Sequence, residues 1–187
     1  IALAGKIVMH SHVTLINQAH LRFEGPPSVG HFVQVTPPVP MRQPGRLRNV
    51  EITGGGIFDA NHVGNTNAIA VGNRDNNDPD GLLDVWIHDV TAINAVHGGP
   101  HIADDEKLSD VVRGGGKGLT VQFGAKNVLI ERVVARDCDI GLSIEGKHTR
   151  NGFVREVTVK RFEANHCSLM AAYLSGSYKA ETYGTAS

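Results

Sequence analysis

Four stretches of the chain repeat one pattern: a polar residue, an apolar one, a variable one and an apolar one. They are Asn49-Val50-Glu51-Ile52, Asp84-Val85-Trp86-Ile87, Asn127-Val128-Leu129-Ile130 and Glu156-Val157-Thr158-Val159, with a looser copy at His12-Val13-Thr14-Leu15. A supersecondary unit that recurs every 20–50 residues or so is the mark of a solenoid or propeller. The leading valines, Val13, Val50, Val85, Val128 and Val157, are separated by 37, 35, 43 and 29 residues. Helical repeats and propeller blades keep a steadier length. Stacked strands tolerate the scatter, because extra residues bulge out at corners while the strands stay in register.

The unit is clearest near residue 120. Gly118-Leu119-Thr120-Val121-Gln122-Phe123-Gly124 alternates apolar and polar, the period of a half-buried strand. The Val128 segment follows, then Val133-Val134-Ala135. After Asp137-Cys138-Asp139 the cycle restarts at Ile140-Gly141-Leu142-Ser143-Ile144-Glu145-Gly146. The pattern predicts three short strands per coil and about five coils. Ile87, Ile130 and Val159 should stack inward, as should Ala92, Ala135 and Ala164. Cys138 and Cys167 fall at one step of adjacent coils. A buried ladder of free thiols is preferred to a disulfide, so no oxidising compartment is implied.

This pattern resembles the right-handed parallel β-helix of the pectin-lyase-like superfamily, over residues 12 to 176. The match is carried by residues 118–124 and by Asn127 through Cys138. The resemblance implies an all-β, single-domain chain spanning 1–187 and located extracellularly, in the periplasm or on a virion surface. It hosts lyases, hydrolases, epimerases, phage tailspikes and adhesins, so fold does not settle activity. The start at Ile1 has no initiator Met, and neither end shows a cap for the apolar rows. The expectation is a segment of a longer chain.

Net charge of −1 gives no electrostatic footprint for nucleic acid, and no apolar run is long enough to span a bilayer. An apolar content of 41% with only 5% aromatic suits a core of small and β-branched side chains.

In the resembling family a carbohydrate groove lies over the first strand of each coil. Two loops flanking that strand are enlarged here. One runs from Asn94 to Gly118 and carries His97, His101, Asp104, Asp105, Arg113 and Lys117. The other side offers Arg74 and, one coil away, Glu145, Lys147, His148 and Arg150. Long loops in compact domains commonly carry function. The expected catalytic set is His97, His101, Asp104, Asp105 and Glu145. The expected substrate-binding set is Arg74, Arg113, Lys117, Gln122, Lys147, His148 and Arg150. A hydrolase would oppose Asp104 or Asp105 to Glu145. A lyase would use a His or Lys base, with a cation facing the enolate-like charge. The partner is then a polysaccharide.

Other motifs carry less. Asp75, Asp78 and Asp80 offer hard oxygens for Ca²⁺, without EF-hand spacing, and no other cofactor is expected. Asp78-Pro79-Asp80-Gly81 resembles the acidic motif of alginate epimerases but lacks its His. His97 and His101 have a zinc-like spacing, but the intervening Gly98-Gly99-Pro100 precludes a helix. Gly114-Gly115-Gly116-Lys117 fails the P-loop pattern and reads as a flexible hinge. Asn-Thr-Asp and Gly-His-Gly motifs of polygalacturonases are absent, as is a clear pectate-lyase Arg motif. Thr53, His88, Glu131 and Lys160 should form an outward column beside Trp86, with His88, Glu131 and Lys160 placed for an ion ladder; a solvated face with an exposed or interface Trp is preferred there to a second glycan surface with Trp86 as stacking platform. The rival class is a non-enzymatic rod, a tailspike shaft or adhesin. There Trp86, Leu129 and Val134 would face partner chains in a homotrimer.

Overall fold

The computed structural model describes residues 1–26, 30–36, 46–72, 82–97, 115–122, 124–146 and 154–175. Among these, every regular element is a strand. In chain order they are β1 (Ala2–Leu3), β2 (Ile7–Val8), β3 (Val13–Ile16), β4 (His20–Phe23), β5 (His31–Val35), β6 (Leu47–Thr53) and β7 (Ile57–Asp59). There follow β8 (Asn67–Val71), β9 (Leu82–Ile93), β10 (Lys117–Gln122), β11 (Ala125–Arg136), β12 (Ile140–Glu145), β13 (Arg155–Asn165) and β14 (Met170–Ser175).

The strands form two sheets, and their pairings are parallel. The first runs β1-β4-β7-β9-β11-β13, with β3 pairing β6 and β6 pairing β9. The second runs β2-β5-β8-β10-β12-β14. From β8 onward the chain visits the sheets alternately and pairs each strand with the one before it in that sheet. Parallel sheets need cover on their apolar faces. Here Phe32, Ile69 and Leu119 of the second sheet join Val50, Ile52, Ile87 and Ile130 of the first in one buried cluster. Fully burying an Ile such as Ile130 is worth about 1.5–3 kcal/mol.

The register matches the repeat. Val13 pairs Val50, Val50 pairs Val85, Val85 pairs Val128 and Val128 pairs Val157. Ile87, Ile130 and Val159 are in line, as are Ala92, Ala135 and Ala164. The polar residue that opens each copy has a structural reason. His12, Asn49, Asp84, Asn127 and Glu156 have φ between 55° and 61°, the left-handed region in which Asn and Asp are enriched.

One expectation is corrected. Later repeats do not carry three short strands, because the second and third fuse into β9, β11 and β13. A single left-handed residue, Asp89, Arg132 or Arg161 (φ 52–54°), bends each long strand and drops out of the ladder, while pairing continues on both sides. In the earlier coil Gly54, Gly55 and Gly56 separate β6 from β7, so three strands remain there.

Cys138 and Cys167 are free thiols. Burial pushes Cys138 up to about 12, so it is an inert apolar filler at neutral pH.

Candidate functional site

The second sheet departs from strict alternation at one place. Phe32 and Val33 are consecutive yet both in the core, and so are Ala68 and Ile69 in two adjoining clusters. At the matching step, a Cβ on Gly118 would lie 2.8 Å from Ala135 Cβ and 3.2 Å from Cys138 Sγ, while Leu119 is also core. Two successive inward positions mark a bend. The bend carries residue 117 to the side shared by Thr120 and Gln122, away from the core.

That side holds polar groups with little or no exposed surface: Lys117, Asn67, Thr120, Ser143 and Gln122. Lys117 Nζ lies 3.0 Å from Glu145 Oε1. The same carboxylate oxygen accepts from Ser143 Oγ. Gln122 Nε2 donates to Thr120 Oγ1 at 2.9 Å, and Gln122 is paired in register with Glu145. The Lys117 backbone N–H donates to Asn67 Oδ1 at 3.0 Å, and Asn67 Nδ2 lies 3.0 Å from His31 Nδ1. Burial pulls the Lys117 ammonium below its ordinary range, opposed by Glu145. Burial, then the charges of Lys6 and Lys117, push His31 down to about 4, so it is neutral at pH 7. Among the described residues this gathers Lys117, Glu145, a neutral imidazole, and the hydroxyls and amides of Thr120, Ser143, Asn67 and Gln122 along a single face.

Three sequence-expected residues, Lys117, Gln122 and Glu145, are therefore brought together. Glu145 is a partner of Lys117 rather than a lone acid. His97 sits at the entry to β10: its backbone N–H donates to Asp139 Oδ2 at 2.6 Å, and Ser168 Oγ donates to Asp139 Oδ1 at 2.7 Å. His101, Asp104, Asp105, Arg113, Arg74, Lys147, His148 and Arg150 lie outside the described residues, as do Asp75, Asp78 and Asp80. Among the described residues no cluster of three or more His, Cys, Asp or Glu is arranged to hold a metal ion.

The hinge expected before β10 is corrected at its two described glycines. A Cβ on Gly115 would fall 2.1 Å from the Asn65 carbonyl carbon, and one on Gly116 (φ 90°) 2.7 Å from both His97 N and Asp139 Oδ2. These glycines permit close backbone packing. Sequence reasoning missed His31, Asn67 and Ser143. The first two lie 36 residues apart and pair in register, with Asn67 one strand and His31 two strands before Lys117 in the second sheet, a relation that only the register reveals.

On the first sheet the expected ion ladder is also corrected. His88, Glu131 and Lys160 do share a register row. His88, however, turns to Glu51 (Nε2–Oε1 2.8 Å) and Asp89 (Nδ1–Oδ2 2.6 Å), and Glu131 to Arg132 (2.6 Å). Shorter reach along one strand, and a carboxylate in the preceding coil, win over the straight column.

No protein family, curated protein or solved structure matches the chain.

Proposed function

We propose that the two sheets are walls of a right-handed parallel β-helix, and that the chain binds and cleaves an acidic polysaccharide over the second sheet. The observation that carries the reading is the ion pair Lys117–Glu145, set among Ser143, Thr120 and Gln122 on the face opposite the core. Polar side chains are rarely kept buried on a sheet surface unless paired or used.

The reaction assigned is elimination. A base, here His97, takes the proton from the carbon beside a uronate carboxylate. That electron pair forms the new double bond, the glycosidic C–O bond breaks, and the leaving oxygen gains a proton. Lys117, held by Glu145, supplies positive charge beneath the face without touching the substrate. Since Lys117 has no exposed surface, first contact falls to residues that keep some, such as Glu145 and Tyr173.

The test is incubation with uronate-rich and neutral polysaccharides, following ultraviolet absorbance of unsaturated products beside reducing-end release. Unsaturated product that disappears in a folded Lys117→Met variant supports the reading. Reducing ends without unsaturation would convert it to hydrolysis, and neither product nor binding from any glycan would overturn it. A second reading, a non-enzymatic rod in a homotrimer, is favoured by the exposed Trp86 beside Leu129. It predicts a trimer by sedimentation.

A further inference from the structure

The outward face of the first sheet carries a second feature, independent of the polar face of the second sheet. A depression of about 520 Å³ is floored by Trp86 and Leu129 and edged by His12, Asn49, Asp84 and Asn127. The edge residues are the left-handed corner positions of successive coils, so their side chains recur at one strand spacing, roughly 4.8 Å. They are already linked in pairs: Asn49 Nδ2 lies 3.0 Å from His12 Nδ1, and Asn127 Nδ2 donates to Asp84 Oδ1 at 2.6 Å.

Trp86 is 38% exposed, and its ring stacks on His88 with centroids 4.0 Å apart. His88 is itself clamped by Glu51 and Asp89, and Asp89 by the Arg132 guanidinium at 2.6 and 2.8 Å. The indole is therefore braced before any ligand arrives, which lowers the ordering cost of binding. An aromatic floor with an amide and carboxylate edge suits a pyranose: the apolar sugar face rests on the ring and hydroxyls bond the edge. The charges on the lining narrow the class. They are the carboxylates Glu51 and Asp84, with no Lys or Arg, so uronate, sulfated or phosphorylated chains are repelled.

We propose that this face binds a neutral linear glycan lying across the strands, with one ring on Trp86 and hydroxyls on Asn49, Asp84 and Asn127. The site is distinct from the second-sheet face proposed for an acidic glycan and holds the protein on a neutral polymer whether or not cleavage occurs there.

The chain has one tryptophan, so its fluorescence reports this face alone. The protein is titrated with cellohexaose, mannohexaose and xylohexaose, with an oligogalacturonate as control. The expected result is a saturable change with at least one neutral hexaose and none with the uronate. By calorimetry, Trp86→Ala and Asn127→Ala weaken that binding at least about tenfold with circular dichroism unchanged, while Lys117→Met leaves it intact. Three results would overturn the proposal. They are no saturable change with any neutral hexaose, binding indifferent to Trp86→Ala, or shielding of Trp86 that rises with protein concentration and so reports a second copy.

Discussion

Lys117 and Glu145 meet diagonally across two strands. Lys117 stands opposite Ile140 and Glu145 opposite Gln122, yet their charged atoms are 3.0 Å apart. The contact exists because the bend at Gly118 turns Lys117 onto the face that Glu145 occupies. A side chain with no exposed surface and a charge is tolerated only with such a partner.

Removing one member should therefore cost more than removing both. Glu145→Gln takes from the covered Lys117 ammonium the carboxylate 3.0 Å away, and should lower stability by about 2 kcal/mol or more. The double variant Lys117→Met with Glu145→Gln should recover most of that. Urea unfolding of the two variants beside the wild type measures it; equal losses in the single and double variants would contradict the pairing.

His31 should act as an acid-sensitive element. Its folded value, about 4, lies below the ordinary 6.5, so its contribution is present above pH 6.5. That contribution is lost as pH falls from 6.5 toward 4, on the order of 3 kcal/mol in all. The stability advantage of the wild type over His31→Asn should shrink across that window. A constant gap, or a His31 titration near 6.5 by NMR, would contradict the burial argument.

His88 should behave in the opposite sense. Burial lowers it, but the hydrogen bonds it donates to Asp89 and Glu51, with their charges, outweigh that and raise it above 6.5. Its charged form stabilises the fold fully below pH 6.5, and that contribution is lost as pH rises through the raised value. NMR titration should show His88 above 6.5, falling in Glu51→Gln. The Asp89 carboxylate, held well below its usual range by hydrogen bonds from Arg132 and His88, should stay ionised throughout.

Gly72 should tolerate no side chain. Its φ is +107°, and a Cβ would lie 1.9 Å from the Gln122 carbonyl oxygen. Gly72→Ala should cost at least about 2 kcal/mol, through strain and a displaced strand end. Gly55 (φ +79°) has open space around it, and Gly55→Asn should be near neutral, since Asn accepts that backbone region. Thermal melts of the two variants give the comparison.

The repeat was legible because two physical demands coincide at each coil. A left-handed corner wants Asn or Asp, and the next position wants a β-branched core residue, which yields Asn49-Val50, Asp84-Val85 and Asn127-Val128. Lys117, Gln122 and Glu145 were visible as polar residues flanking or within a strand. Their mutual contact was not, because alternation alone puts Lys117 on the side of Leu119, in the core. The bend that reverses this depends on Gly118 fitting against Ala135 and Cys138, a contact distant in sequence. His31 and Asn67 were missed for a related reason: each is an ordinary polar residue until the register pairs them. The fusion of second and third strands was hidden because Arg132 and Arg161 are not residues that announce a left-handed turn.

The single left-handed residues at Asp89, Arg132 and Arg161 also bear on how such a chain can change length. They stand opposite one another in the register, so pairing resumes in line at Val90, Val133 and Phe162. Errors of spacing do not accumulate from one end to the other. A coil is then a unit of inheritance: it can be duplicated or deleted between two such corners while its neighbours keep their partners. Selection on the length of the stack can proceed separately from selection on the fold.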